Sequence, residues 1–391
     1  MPWLPSVEGG LPMLCKGFEI ELYTGTPQGT VVGLADQIVR ALPGFAWEPD
    51  RRNVEYTTPP RQRYEQLLCD LVQPRQRLRQ FLRTLGDYTL IPGSTLALGD
   101  SSVFERADPR NPYHSFIERT YGARVVTASV HINIGIDEPE TLLRACRLVR
   151  VEAPLYLALS ASSPWLDGHL TGWHSTRWHI FPHTPPHVPL FLNHRHFIRW
   201  TETQLQAGVM QNVRHLWCSV RPNGNRRPYD LNRLELRICD LISDPVHLLA
   251  VTALLEARLL QLLQDPRLDP LYDHPWPRAR AEDLRVQADA NAQAAARHSL
   301  DSVLTHWQDG RSIRARDWIA ELLEQVTPTA QGFACFLSPL RTILAEGNEA
   351  QQWLAAHAQG QSLPAILQQA IRTMHQRELA LAEALCLPQA A

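Results

Sequence analysis

An α+β fold is predicted, with a one-sided antiparallel sheet in about residues 14–240 and a helical remainder over about 245–391. Three observations lead to it. Four short runs alternate apolar and polar side chains with period two, helical spacing separates them, and helical periodicity takes over beyond Asp240. Helices between the runs are placed to cover the apolar face of the sheet, leaving the polar face open for a ligand.

The first run, Gly17-Phe18-Glu19-Ile20-Glu21-Leu22, sets Glu19 and Glu21 on one face and Phe18, Ile20 and Leu22 on the other. Apolar spacing of three and four residues then predicts a helix over Gly33–Leu42. In the second run Asn53, Glu55 and Thr57 oppose Val54 and Tyr56, and a helix over Tyr64–Leu85 follows. The third run sets His131, Asn133 and Gly135 against Val130, Ile132 and Ile134, with a helix over Glu140–Leu159 behind it. The fourth opposes Glu235 and Arg237 to Leu234, Leu236 and Ile238. Further helices are read at 246–264, 281–308, 313–326 and 349–385, with Ser362 ahead of Pro364 marking a helix start.

Alternation alone is what any half-buried strand shows. These runs, however, contain no lysine and several carboxylates that would repel one another without a cation. On one sheet they would gather Glu19, Glu21, Glu55, His131, Glu235 and Arg237 into a cation-binding surface. Between residues 163 and 200, His169, His174, His179, His183, His187, His194 and His196 are interleaved with Pro, Trp and Phe. Their spacing matches no zinc motif, so the segment reads as a rigid loop closing over the site, with a histidine metal cluster as the alternative.

Composition narrows the chemistry. Basic and acidic residues number 38 and 40, a formal net charge of −2, so no global field attracts nucleic acid or an anionic membrane. Lys16 is the single lysine, and no P-loop, dinucleotide fingerprint or nucleophile elbow occurs. If a nucleotide is used, metal ions on carboxylates and arginines must hold its phosphates. Seven cysteines without a C-x-x-C pair suit reduced thiols. No signal core or uninterrupted apolar stretch of spanning length is apparent, so a cytoplasmic location without membrane association is expected. Neither repeats nor linkers divide the chain, and residues 1–391 are expected to form a single catalytic domain.

At these same positions the chain resembles the glutamate–cysteine ligase type 2 family, and its cyanobacterial-type members in particular. The resemblance rests on KGFEIELYTGTPQG at 16–29, EPDRRNVEYTTP at 48–59, VVTASVHINIGI at 125–136, VEAPLYLALSASSP at 151–164, RPNGNRRPYDLNRLELRICD at 221–240 and FLSPLRTILAEGNEAQQW at 336–353. It implies a glutamine-synthetase-like curved antiparallel sheet forming an active-site funnel with helices outside. It also implies ligation of cysteine to the γ-carboxylate of glutamate through a γ-glutamyl phosphate, with ATP as co-substrate and Mg²⁺ as cofactor. A ligase of the same fold using another amine, and a non-catalytic relative, are the alternatives. Carried over by position, Glu19, Glu21, Glu55, His131 and Glu235 would ligate Mg²⁺, and Arg237 beside Glu235 would meet charge on the transferring phosphoryl group. Arg227 and Arg233 are candidates for ATP phosphates. Asn133, Arg177 and Arg221 are candidates for substrate binding.

Overall fold

The computed structural model describes residues 13–386. Its strands are β1 (Lys16–Gly25), β2 (Phe45–Trp47), β3 (Asn53–Thr57), β4 (Thr89–Ile91), β5 (Val130–Gly135), β6 (Trp165–Leu166), β7 (His169–Leu170), β8 (Val220–Asn223), β9 (Arg233–Leu236), β10 (Val303–Thr305) and β11 (Ser312–Arg314). The main sheet runs β2-β3-β1-β5-β9-β8, antiparallel throughout, with β4 pairing the end of β1. Pro222 sits on the edge strand β8, where its missing N–H interrupts no inner ladder.

Register puts the period-two pattern to use. Glu19 lies opposite His131, Glu21 opposite Glu55, and Asn133 and Arg221 both opposite Glu235, so all share one face. Ile20, Leu22, Val54, Ile132, Ile134, Leu234 and Leu236 are fully buried on the other face. There they join one large core with the helices.

The helices are α1 (Ala35–Ala41), α2 (Tyr64–Leu85), α3 (Pro112–Tyr121), α4 (Pro139–Ser160), α5 (Thr176–Ile180), α6 (His194–Gln206), α7 (Pro245–Gln264), α8 (Pro277–His298), α9 (Ala315–Val326), α10 (Pro339–Glu346), α11 (Glu349–Ala358) and α12 (Leu363–Leu381). Sharp local signals start the two central ones. Glu138 accepts from the amides of Glu140 and Thr141 ahead of α4, Asp244 accepts from that of Val246 ahead of α7, and each helix opens on proline. Although α7 has the length and mean hydropathy, 1.6, of a membrane span, 78% of its apolar window is buried inside the protein. It is a core helix, and Glu256 and Arg258 interrupt its apolar run.

Three expectations change. The helix read at 281–308 ends at His298, because 303–314 turns back as the β10–β11 hairpin. The helix read at 349–385 breaks at Gly360, whose φ of 91° is left-handed, and restarts at the Ser362 cap. The thiols are not all reduced: Cys69 on α2 and Cys386 are joined as a disulfide across 317 residues, while Cys146, Cys218 and Cys239 are free and buried. That pair meets because α2 and the C-terminal helix pack together, a proximity no local spacing could show.

Candidate active site

Glu235 is the best-anchored group on the polar face. It has no exposed surface, and its two oxygens accept Arg221 Nε at 2.7 Å, Arg221 Nη2 at 3.0 Å, Asn223 Nδ2 at 2.6 Å and Arg237 Nη1 at 2.5 Å. Burial pushes its pKa up, but Arg221, Arg237 and His131 outweigh burial and hold it well below the ordinary carboxylate range. Four donors fill the lone-pair sites a carboxylate offers, so a cation bound here takes the place of one of them.

His131 gathers its neighbours around the ring. Its Nδ1 lies 3.0 Å from Glu19, 3.7 Å from Glu235 and 3.3 Å from Arg237 Nη1. The other ring nitrogen, Nε2, contacts Ser129 Oγ at 3.1 Å, and that hydroxyl donates to Glu21 at 2.7 Å. For Glu19, burial and the Glu235 charge act upward, while the His131 hydrogen bond and the charges of His131 and Arg237 bring the net shift below the usual value.

Two sets of potential metal ligands result among the described residues: Glu19, His131 and Glu235, and beside them Glu21, Glu48 and Glu55, each set with ligand atoms within 4.8 Å of one another. The second set is electrostatically unsatisfied. Burial, then Glu19 and Glu21, raise Glu55 to about 8, and burial, Glu21 and Glu55 push Glu48 well above the ordinary range. Clustered carboxylates that must take up protons in the absence of a partner are a fitting site for a hard divalent cation.

Glu48 is the residue the sequence reading missed. It stands just past the three-residue β2, and the pairing of Ala46 with Glu55 shows that Ala46 and Glu48 share the polar face. Counting two back from Glu48 to Ala46 was the available signal, but a strand so short shows no alternation.

The polar face opens into a cavity of about 380 Å³ holding Glu21, Glu48, Glu55, Arg177, Arg214 and Arg237, with Trp47, Tyr113, Phe181 and Trp217 as its aromatic walls. Arg177 and Phe181 come from the histidine-rich segment, so part of it does flank the site. Its histidines serve elsewhere: His179 stacks on Trp173 at 3.7 Å, His174 bonds Ser299, His194 bonds the Pro228 carbonyl, and His183 packs on Trp178. They form no metal group among the described residues. Asp240 ties the segment to the sheet by accepting from Ser162 N, Ser163 Oγ and Ser175 Oγ, which sets the start of α5 and hence Arg177.

The predicted arginines divide by geometry. Arg177 is buried, donates to the carbonyls of Arg237 and Ile238 at 3.1 Å, and keeps Nε without a partner. Arg221 spends four of its five N–H donors on Glu235 and on the carbonyls of Arg214 and Leu216, which leaves a single Nη2 hydrogen for any other partner. It is a clamp on Glu235. Arg233 and Asn133 line an adjoining hollow of about 450 Å³ with Glu19, Gly17 and Thr57; Arg233 Nε donates to Asn133, which in turn reaches Glu19 at 3.4 Å. Arg227 lines neither hollow, yet its Nη1 is buried without a partner. Burial and the charge of Arg221 bring its pKa down to about 9.

Solved structures identify the class of fold. Glutamate–cysteine ligase of Francisella tularensis, solved in complex with AMP, superposes with a TM-score of 0.71 at 12% identity, over 98% of this chain and 97% of that one. A bifunctional glutathione synthetase of Pasteurella multocida matches with a TM-score of 0.70 at 14% identity, over 95% of this chain and 53% of the other. The fold is therefore of the glutamate–cysteine ligase type. By sequence, the description of glutamate-cysteine ligase family 2 matches residues 15–379, and the chain belongs to that family. A protein of Rubrobacter xylanophilus bearing glutamate–cysteine ligase 2-1 as a provisional name is 27% identical over 322 residues, 78% of this chain and 80% of its own. One of Sorangium cellulosum, provisionally named glutamate–cysteine ligase 2, is 31% identical over 242 residues, 61% of each chain. Family and fold together support a carboxylate–amine ligase.

Proposed function

We propose that the chain is an ATP- and Mg²⁺-dependent ligase that joins the γ-carboxylate of glutamate to the amine of cysteine, acting in the cytoplasm with residues 1–391 as one catalytic unit. The observation that carries this reading is the convergence of Glu19, His131 and Glu235 with Glu21, Glu48 and Glu55 on one face of one sheet, in a chain of this family. The AMP bound to the Francisella tularensis enzyme supports a nucleotide substrate.

Mg²⁺ held by these two sets would neutralise phosphate and carboxylate charge. In the reaction an oxygen of the γ-carboxylate attacks the terminal phosphorus of ATP and the bond to ADP breaks. The amine nitrogen then attacks the acyl carbon and gives up a proton, and phosphate leaves with the oxygen it acquired. Arg237, bonded to Glu235 at the cavity wall, supplies a preorganised donor for charge growing on the phosphoryl group. Arg221 keeps Glu235 ionised and fixed. Arg177, which lines the cavity and keeps Nε unpartnered, takes the α-carboxylate of glutamate. Asn133 and Arg233 orient Glu19 from the adjoining hollow. Arg227, a half-buried cation without a carboxylate partner among the described residues, serves ATP phosphate together with Arg233.

The test is phosphate release from ATP by purified protein with Mg²⁺, glutamate and a panel of amines. Release that needs both glutamate and an amine, with cysteine strongly preferred, is expected. Equal turnover with unrelated amines, or none with cysteine, contradicts the cysteine assignment.

A further inference from the structure

Arg214 stands on the rim of the 380 Å³ cavity, exposed, and its guanidinium has no carboxylate partner among the described residues. Its backbone is fixed from two directions. Arg221 donates to the carbonyls of Arg214 and Leu216 at 2.9 Å, and the amide of Arg214 donates to Asn212 Oδ1 at 2.8 Å. One residue on, His215 bonds the hydroxyl of Tyr121 at 2.8 Å and packs edge-on against Trp217 at 4.4 Å. The clamp that sets Glu235 therefore also sets this strap, and a free cation is presented over the cavity from a rigid support.

A reaction that joins two amino acids brings two α-carboxylates into one pocket. Arg177 is available for one of them. With Arg221 committed to Glu235 and Arg237 bonded to Glu235 beside the metal-ligand set, Arg214 is the remaining guanidinium lining this cavity.

We infer that Arg214 binds the carboxylate of the incoming amino acid and so restricts the acceptor to amines that carry one. Held by that carboxylate at the rim of the cavity that Tyr113 and Trp217 also line, the acceptor turns its amine toward the interior lined by Glu48 and Glu55. The inference rests on the ligase reading above and assigns its acceptor specificity to one side chain. Arg214 acts in binding, so its signature is in KM for the acceptor.

The experiment compares cysteine with cysteamine, the same thiol amine without a carboxylate, in the parent, Arg214→Ala and Arg214→Lys. The parent should strongly prefer cysteine. Arg214→Ala should raise KM for cysteine by about tenfold or more, the range expected for losing a charge-assisted hydrogen bond, with KM for glutamate unchanged and melting unaltered. It should also narrow the gap between cysteine and cysteamine. Arg214→Lys, which keeps the charge and loses the planar fork, should fall between. An active parent whose Arg214→Ala variant keeps its KM for cysteine and its preference over cysteamine overturns this assignment alone. A parent that makes no product with any amine overturns the ligase reading and this assignment with it.

Discussion

Two arginines bind the same carboxylate and are expected to fail in different ways when removed. Arg221 makes a two-pronged contact with the fully buried Glu235 and also holds the carbonyls of Arg214 and Leu216, so Arg221→Ala removes two of the four donors on a buried charge together with that strap and should cost about 3 kcal/mol of stability, read as a lower midpoint in urea or heat. Arg237 leaves Glu235 with Arg221 and Asn223 when it is deleted. Arg237→Ala should therefore melt near the parent while turnover drops roughly a hundredfold, on the order of 3 kcal/mol of barrier. Arg237→Lys, lacking the planar fork, should also be impaired. Near-normal turnover in Arg237→Ala would remove it from the chemistry.

The crowded carboxylates make a second expectation at this scale. Glu55 moves from 4.5 in the unfolded chain up to about 8 in the folded one, and Glu48 moves the same way. An acid whose pKa rises on folding contributes stability below its unfolded value and loses it as pH climbs through the folded one. Protein stripped of divalent cations should thus lose melting temperature between about pH 5 and pH 8. Mg²⁺ should restore it increasingly across the same window, because the cation takes the place of the protons. A melting temperature that rises over that window in chelator, or is indifferent to Mg²⁺ at the upper end, speaks against a cation site on Glu21, Glu48 and Glu55.

At the scale of elements, the C-terminal helix is locked to α2 by Glu378, which is fully buried and receives Arg75 at 3.3 Å and Arg79 at 2.8 Å. Glu378→Ala leaves two buried guanidinium groups unpaired, and a loss of about 3–5 kcal/mol should show in denaturant unfolding. A variant as stable as the parent would mean that the disulfide between Cys69 and Cys386 and the apolar contacts suffice to hold α12.

Elements also show what sequence can reveal. Period-two runs of five or six residues fix both strand and face, which is why Glu19, Glu21, Glu55, His131 and Glu235 could be placed together without coordinates. Three-residue strands such as β2 and β10 carry too little pattern, so Glu48 went unseen and the helix before β10 was drawn too long. Arg221 and Arg177 could be singled out as cavity arginines, but which one is committed to Glu235 depends on hydrogen bonds between distant segments. Arg214 had no signal at all: it lies outside any periodic element, and only the strap from Asn212 to Trp217 gives it meaning.

At the scale of the whole molecule, one antiparallel sheet, backed by α4, is proposed to carry phosphoryl transfer and amide formation on its polar face. Oxygen bookkeeping tests this most directly. Glutamate labelled with oxygen-18 in its γ-carboxylate is turned over with ATP, Mg²⁺ and cysteine, and the phosphate released is analysed by mass. Formation of a γ-glutamyl phosphate predicts one labelled oxygen in each phosphate, matched one to one with dipeptide formed. Unlabelled phosphate, or label transfer without dipeptide, would contradict the account.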